Sequence, residues 1–331
     1  MLTLRRGRVT AIVAREEGLA RIEVDGTACV AYPGLTGPVA LGDEVVVNVQ
    51  ARELGLGSGG FDVLYANLTR GLDLAAETGA HVMKLPYTPL QHAVRHAEED
   101  QPLAEQLEGM PVVCCSLHSQ LAPVCAALSE RRVAYLQLAG GALPVVLSDA
   151  VRALRERGLL DVAVGVGPCF GGDVDCVNVY SALAWAKARG VDVAVCAIGP
   201  GIVGTGTRLG HGGMSAAVSL SAAARLGGIP IIALRLSEGD PRSRHRDLSH
   251  HAEAILSLTG ADVTIPWPAG CPVDDPVAAR AEVVDVEGWR DACDGLPLSH
   301  MGRGPDEDPW FFAASFAAGV VARRVVERSA A

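Results

Sequence analysis

From Met110 onward the chain alternates short, almost uninterrupted runs of Val, Ala, Ile and Cys with segments of helical character, and this alternation allows few architectures. The apolar runs cover residues 111–116, 133–138, 161–167, 192–198, 229–236 and 262–265, with helical stretches such as 173–188 and 214–226 between them. A strand that is apolar on both sides must be covered on both faces, which a parallel sheet between helices provides. The expected fold class is therefore α/β, a doubly wound, Rossmann-like, mostly parallel sheet occupying residues 110–331. The late apolar run 310–322 reads as a packed C-terminal helix, too short to span about 30 Å of hydrocarbon.

Before this region the period changes. In residues 1–70 Ala20, Ile22 and Val24 face one way against Arg21 and Glu23, and Val45, Val47 and Val49 oppose Glu44, Asn48 and Gln50. Period two with Gly/Pro punctuation predicts a small antiparallel β-barrel of OB or SH3 type, serving either as a docking module or as a structural cap. Residues 71–109 turn acidic and read as a mostly helical connector whose one lysine, Lys84, could face the site.

With 331 residues, 49% hydrophobic and 20% charged, the chain can bury a large core. A net charge of -10 and only five Phe and five Tyr argue against nucleic acid as a partner, because phosphate neutralisation needs a basic face and single strands need stacking platforms. Nine cysteines form no C-x-x-C pair, and MLTLRRGRV enters a strand without an apolar leader. These features lead us to expect a cytoplasmic protein with no membrane partner; self-association into a homo-oligomer is a further expectation.

The helix-to-strand connections are short and plain, whereas the strand-to-helix connections carry the unusual chemistry: residues 117–120, 139–148, 168–172, 199–213 and 237–246. In an open α/β sheet these connections share the carboxyl edge, where ligands bind. The loop GPGIVGTGTRLGHGG offers Gly199, Gly201, Gly204 and Gly206 for close backbone approach to an anion, with Thr205, Thr207, Arg208 and His211 as side-chain donors. Its glycines match G-x-G-x-x-G, yet they continue past the point where a dinucleotide-binding helix begins, and no lysine makes it a P-loop. Arg244 and Arg246 add cationic forks, and Ser119 is either a helix cap or a phosphate ligand. For acid–base work the candidates are His118, His250 and His251, with Asp173 or Glu238 as base; if a helix starts at Asp247, at most one of the paired histidines reaches the crevice. Asp173 and Asp175 also suit the start of the helix containing Asn178. Gly167-Pro-Cys-Phe-Gly171 imitates a nucleophile elbow around Cys169, but Gly171-Gly172 delay the helix that an elbow requires. A metal set drawn from His118, His211, His250 and a carboxylate lacks H-x-x-x-H or H-E-x-x-H spacing, so neither a metal nor a cofactor is assigned.

The stretches AYPGLTGPVALGDEVVVN, LGLGSGG, HVMKLPYTP, LHSQLAP, CFGGDVDCVNVYSAL, GPGIVGTGTRLG, DPRSRHRDLSHH and HMGRGPDEDP resemble, in order and over nearly the whole chain, the uncharacterised bacterial domain-of-unknown-function family 3866. The resemblance implies no activity. From the residues alone the expected function is binding of a small anionic or phosphorylated molecule at the carboxyl edge, with hydrolysis or group transfer if the chain is an enzyme. The alternative is a non-enzymatic ligand-sensing or assembly module.

Overall fold

The computed structural model describes residues 2–55, 60–70, 74–100 and 102–330, so residues 56–59 of the LGLGSGG stretch and residues 71–73 and 101 lie outside the described residues. The chain forms two compact units, Met1–Arg95 and His96–Ala331.

In the first unit, strands β1 (Leu4–Glu16), β2 (Leu19–Val24), β3 (Thr27–Ala31), β4 (Glu44–Asn48) and β5 (Asp62–Asn67) close a barrel in the order β1-β2-β3-β5-β4. Alternate residues, among them Val9, Ile22, Val24, Val45, Val47 and Leu64, fill its interior, as the period-two pattern requires. Asp25 and Gly26, both at positive φ, make the two-residue turn that matches the twist of the β2–β3 hairpin. The barrel is not wholly antiparallel, because β3 and β5 pair in parallel. Residues 71–109, expected to be mostly helical, instead hold a hairpin of Val82–Lys84 and His92–Val94, which buries Lys84, and one turn of helix at Ala97–Asp100. Gly79, Pro86, Pro89 and Pro102, local turn formers, oppose a continuous helix there.

The second unit is built on an all-parallel sheet of β6 (Pro111–Cys115), β7 (Val133–Leu138), β8 (Val162–Val166), β9 (Val174–Cys176), β10 (Val193–Ile198) and β11 (Ile229–Ala233), in the order β9-β8-β7-β10-β6-β11. Successive side chains go to opposite faces. Val113, Tyr135, Val195 and Ile231 meet helices α1 (Leu121–Ala126), α2 (Asp149–Glu156) and α6 (Pro309–Ala330), whereas Val112, Leu136, Cys196 and Ile232 meet α3 (Val179–Ala188), α4 (Ser215–Arg225) and α5 (His250–Leu258). The first strand of the sheet thus lies between the fifth and the sixth, whereas the dinucleotide-binding order places it between the second and the fourth.

Two sequence expectations fail here. Residues 173–178 are not the start of a helix: Val174–Cys176 is the edge strand β9, and Asn178 caps α3 by accepting from the Tyr180 and Ser181 N–H groups. Residues 262–265 supply only a bridge from Thr264 to Ile231, and the nearby strand is Pro266–Pro268. In both cases a short apolar stretch carries no period long enough to separate strand from helix or loop. No described helix is long and apolar enough to cross a membrane.

Candidate functional site

The strand-to-helix connections interlock at the carboxyl edge. After β6, His118 sets its Nε2 2.7 Å from Ser148 Oγ and its Nδ1 3.2 Å from the Ile198 carbonyl, and Tyr135 Oη lies 3.2 Å from the same Nδ1. Ser215 donates to the Ala139 carbonyl at 2.6 Å, and Phe170 N–H donates to the Leu143 carbonyl. The direction in which the chain leaves the sheet reverses between β7 and β10, the position where an open sheet has its crevice. Here that crevice is filled by the protein itself. A Cβ at Gly199 would collide with the Ala142 carbonyl and one at Gly141 with the Gly199 carbonyl, so the two connections lie backbone on backbone.

The glycine-rich loop is consequently a tight hairpin, bridged between Gly204 and His211. Thr205 and Thr207 share a hydroxyl contact of 2.8 Å, Thr205 Oγ1 also donates to the Gly210 carbonyl, and Thr207 Oγ1 accepts from the Gly210 N–H. These hydroxyls organise the loop's own turn. At its tip Arg208 donates to Ser257 Oγ on α5 at 2.6 Å, and Arg244 lies 4.0 Å from the Cβ direction of Gly206.

Beside this hairpin four of the nine histidines gather. His211 ends the loop after β10, His245 closes the 3-10 turn Ser243–His245, and His250 and His251 open α5, which Ser249 caps. The helix starts at His250 rather than Asp247, and both paired histidines face the cluster: the His245 ring centroid is 4.8 Å from that of His250 and 4.7 Å from that of His251. His211 stacks on His251 at 3.5 Å. Burial, then the charges of Arg235 and Arg242, push His245 down to about 3; burial, then His211 and Arg235, push His251 down to about 2. His250 is lowered by burial and then by Arg244, Arg235, Arg208 and Arg242; His211 is lowered by burial, with His250 and Arg235 adding to it against the hydrogen bond to the Arg208 carbonyl.

Under the cluster lies an ion network that the sequence did not reveal. Asp240, fully buried, accepts a fork from Arg242 at 2.9 and 2.8 Å and single contacts of 3.2 Å from Arg235 and from Arg303. Arg303 continues to Asp308 at 3.1 Å, and Asp308 accepts from Ser237 Oγ at 2.6 Å. Burial raises the Asp240 carboxyl, but the hydrogen bonds and charges of Arg242, with Arg235, overrule it and hold the group below its ordinary value. Burial lowers Arg235 to about 10. Ser119 Oγ stands 3.4 Å from His300 Nδ1, and the His300 ring stacks on Phe311 at 3.7 Å. The later residues Arg303 and Asp308 and the strand-end Arg235 belong to this site through tertiary proximity alone; the dense string DPRSRHRDLSHH was the one local signal.

Other candidates stand apart. Asp173 pairs with Arg155 and accepts from the Ala163 N–H, which places it beside the amino-terminal part of β8, away from the carboxyl rim. It is a fastener of the edge strand, because the connection from β8 doubles back before β9 begins. Glu238 and Arg246 are exposed. Cys169 is buried and precedes a strand, not a helix.

His118 is one pH-sensitive fastener. Burial lowers it to about 4, so the folded state resists a proton that the unfolded chain accepts near 6.5. Its contribution is intact above about 6.5 and falls as the pH drops from there towards 4, by at most about 3 kcal/mol. Urea unfolding of His118→Gln should show a shallower loss of stability over that window than the native chain; equal slopes would remove His118 as the cause.

The comparison with curated proteins finds no match. A family model described as "Protein of unknown function (DUF3866)" matches residues 28–319, taking in β4, β5 and nearly all of β3 in the barrel, the whole sheet and every residue of the histidine cluster and the Asp240 network, so the chain belongs to the DUF3866 family.

Proposed function

We propose that this chain binds a small anionic molecule, of phosphate-ester type, at the carboxyl edge of its sheet beside the histidine cluster. The observation that carries the reading is a concentration of positive charge: four guanidinium groups, those of Arg244, Arg235, Arg208 and Arg242, act on the single imidazole of His250, in a chain whose net charge is -10. Such a local field collects anions against the sign of the whole molecule. Arg208, which donates to Ser257, and Arg244 are exposed, whereas Arg235 and Arg242 are held in place by Asp240. Of the residues first considered for proton transfer, His250 and His251 feel the charge of these cations, whereas His118 and Asp173 already serve other partners.

The finer architecture fits this reading. Helices on the two faces follow opposite directions of winding, in a Rossmann-like manner, and the barrel order with β3 parallel to β5 favours the OB type over the SH3 type. The test is a thermal and calorimetric titration with inorganic pyrophosphate. At 100 times the dissociation constant the ligand should add about 2.7 kcal/mol of stability, and Arg244→Ala should weaken binding about tenfold, as expected for one charge-assisted contact. No stabilisation, or stabilisation that Arg208→Ala and Arg244→Ala both leave unchanged, would overturn the proposal. Turnover of a phosphate ester separates an enzyme from a ligand-sensing module.

A further inference from the structure

We propose that His245, His250 and His251 bind one divalent transition-metal ion of the zinc type, through one ring nitrogen each, with the remaining coordination positions open to an anionic oxygen. The three ligand atoms lie within 4.8 Å of one another. Tetrahedral zinc with bonds of about 2.0–2.1 Å holds its nitrogen ligands roughly 3.3 Å apart, so the widest pair has to close by at most about 1.5 Å. Two of the ligands come from the first turn of α5 and the third from the 3-10 turn preceding it, which is why no linear H-x-x-x-H spacing announces the site.

The surroundings fit ligation. His250 Nε2 is buried and has no hydrogen-bond partner among the described residues. Ser249 Oγ stands 2.8 Å from His245 Nδ1, the outer-shell contact that fixes a ligating histidine with its other nitrogen presented to the metal. His211 stands outside the set whose ligand atoms lie within 4.8 Å of one another: its Nε2 faces the Arg208 carbonyl and its ring backs His251 by stacking. Arg235 Nη1 is 3.4 Å from His251 Nδ1, a long contact that yields when Nε2 takes the metal and Nδ1 keeps its proton, and Arg235 retains Asp240. An all-imidazole set favours zinc, copper, nickel or cobalt over magnesium or calcium, which take oxygen ligands. Three protein ligands with open positions is the arrangement of a catalytic rather than a structural zinc site. The charges of Arg244 and Arg208 act on His250, so the anion of the proposed function would take the open positions beside it; the nature of that ligand rests on that reading, while the metal does not.

The experiment uses the untagged, metal-stripped full chain, titrated with Zn2+, Co2+ and Mg2+. We expect one Zn2+ per chain, visible Co2+ absorption of a low-coordinate nitrogen-ligated ion, and no competition from Mg2+. His245→Ala and His250→Ala should each weaken Zn2+ binding at least about a hundredfold, whereas His81→Ala, in the other unit, should not. His250→Asn keeps a polar side chain at a half-buried position; folded by circular dichroism but without the Co2+ bands, it supports the site. No Zn2+ uptake by the native chain, or bands that survive in folded His250→Asn, overturns it. Zn2+ binding without any pyrophosphate binding keeps the metal site and removes the anion reading, and pyrophosphate binding without Zn2+ uptake does the reverse.

Discussion

Asp240→Asn should cost about 3–5 kcal/mol of folding stability, the largest loss expected of any polar substitution in this chain. Asp240 has no exposed surface and is the shared acceptor of Arg235, Arg242 and Arg303. Asparagine has nearly the same shape and keeps one carbonyl acceptor, so packing is preserved while the charge and one acceptor oxygen are removed, the latter replaced by a donor that faces guanidinium donors. Arg235 is then a buried guanidinium without a counter-ion, and the other carboxylate of the network, Asp308, is already engaged by Ser237 and Arg303. A buried cation with no partner is far more costly than the intact pair is favourable. Because a domain has only about 5–15 kcal/mol of net stability, such a loss is a large fraction of the whole. Chemical denaturation of the variant and of Arg242→Met measures it. Arg242 is one-third exposed, so its removal should be much milder. If Asp240→Asn loses less than about 1 kcal/mol, the network is not what holds the rim together.

Gly199→Ala should also be strongly damaging, at about 3 kcal/mol or more. In most loops a Gly→Ala change at an allowed backbone angle stabilises slightly, by restricting the unfolded chain. Here the sign reverses, because the new methyl meets the Ala142 carbonyl and, at 2.9 Å, the Gln137 amide nitrogen. Gln137 donates to the Ala142 and Leu143 carbonyls at 3.0 Å each, so the contact is with fixed backbone and not with the end of a flexible side chain. Overpacking of that kind costs roughly 1–3 kcal/mol when neighbours yield and more when they do not. Gly141→Ala presses on the same contact from the other side, against the Gly199 carbonyl. The double variant should therefore lose distinctly less than the two single losses together, since one separation of the loops relieves both. Strict additivity in urea unfolding would show that the loops do not touch in this way.

Much of the architecture was legible before any coordinates. Val45, Val47 and Val49 announced a barrel strand because one face of such a strand is wet, and the uninterrupted runs of β6, β7 and β10 announced a sheet covered on both faces because both sides are dry. The edge strand β9 was missed, since three residues carry no usable period and the aspartates before and within it, Asp173 and Asp175, resemble helix caps. At the site, the rim location and the histidine-rich string were legible, but the use of each side chain was not. Thr205 and Thr207 look like ligands for an anion and instead bond one another, and Asp173 looks like a catalytic base and instead pairs with Arg155. Hydrogen-bond partners are set by distance in space, which sequence separation does not report.

By itself the sequence determined the two kinds of secondary-structure layer, their order along the chain and the edge on which the polar connections fall, because burial pattern and turn chemistry act over a few residues. Only the tertiary structure decided which connections meet. Placing β6 between β10 and β11 brings the loop ending in His211 against the segment from Arg235 to His251, with Gly213 packed on Ser116 at the end of β6 and Gln120 bonded to the Ala233 and Leu234 carbonyls. Strand order is a property of long-range pairing, chosen by how the helices and strands pack together, so the four histidines and the Asp240 network become one place only when the sheet is assembled.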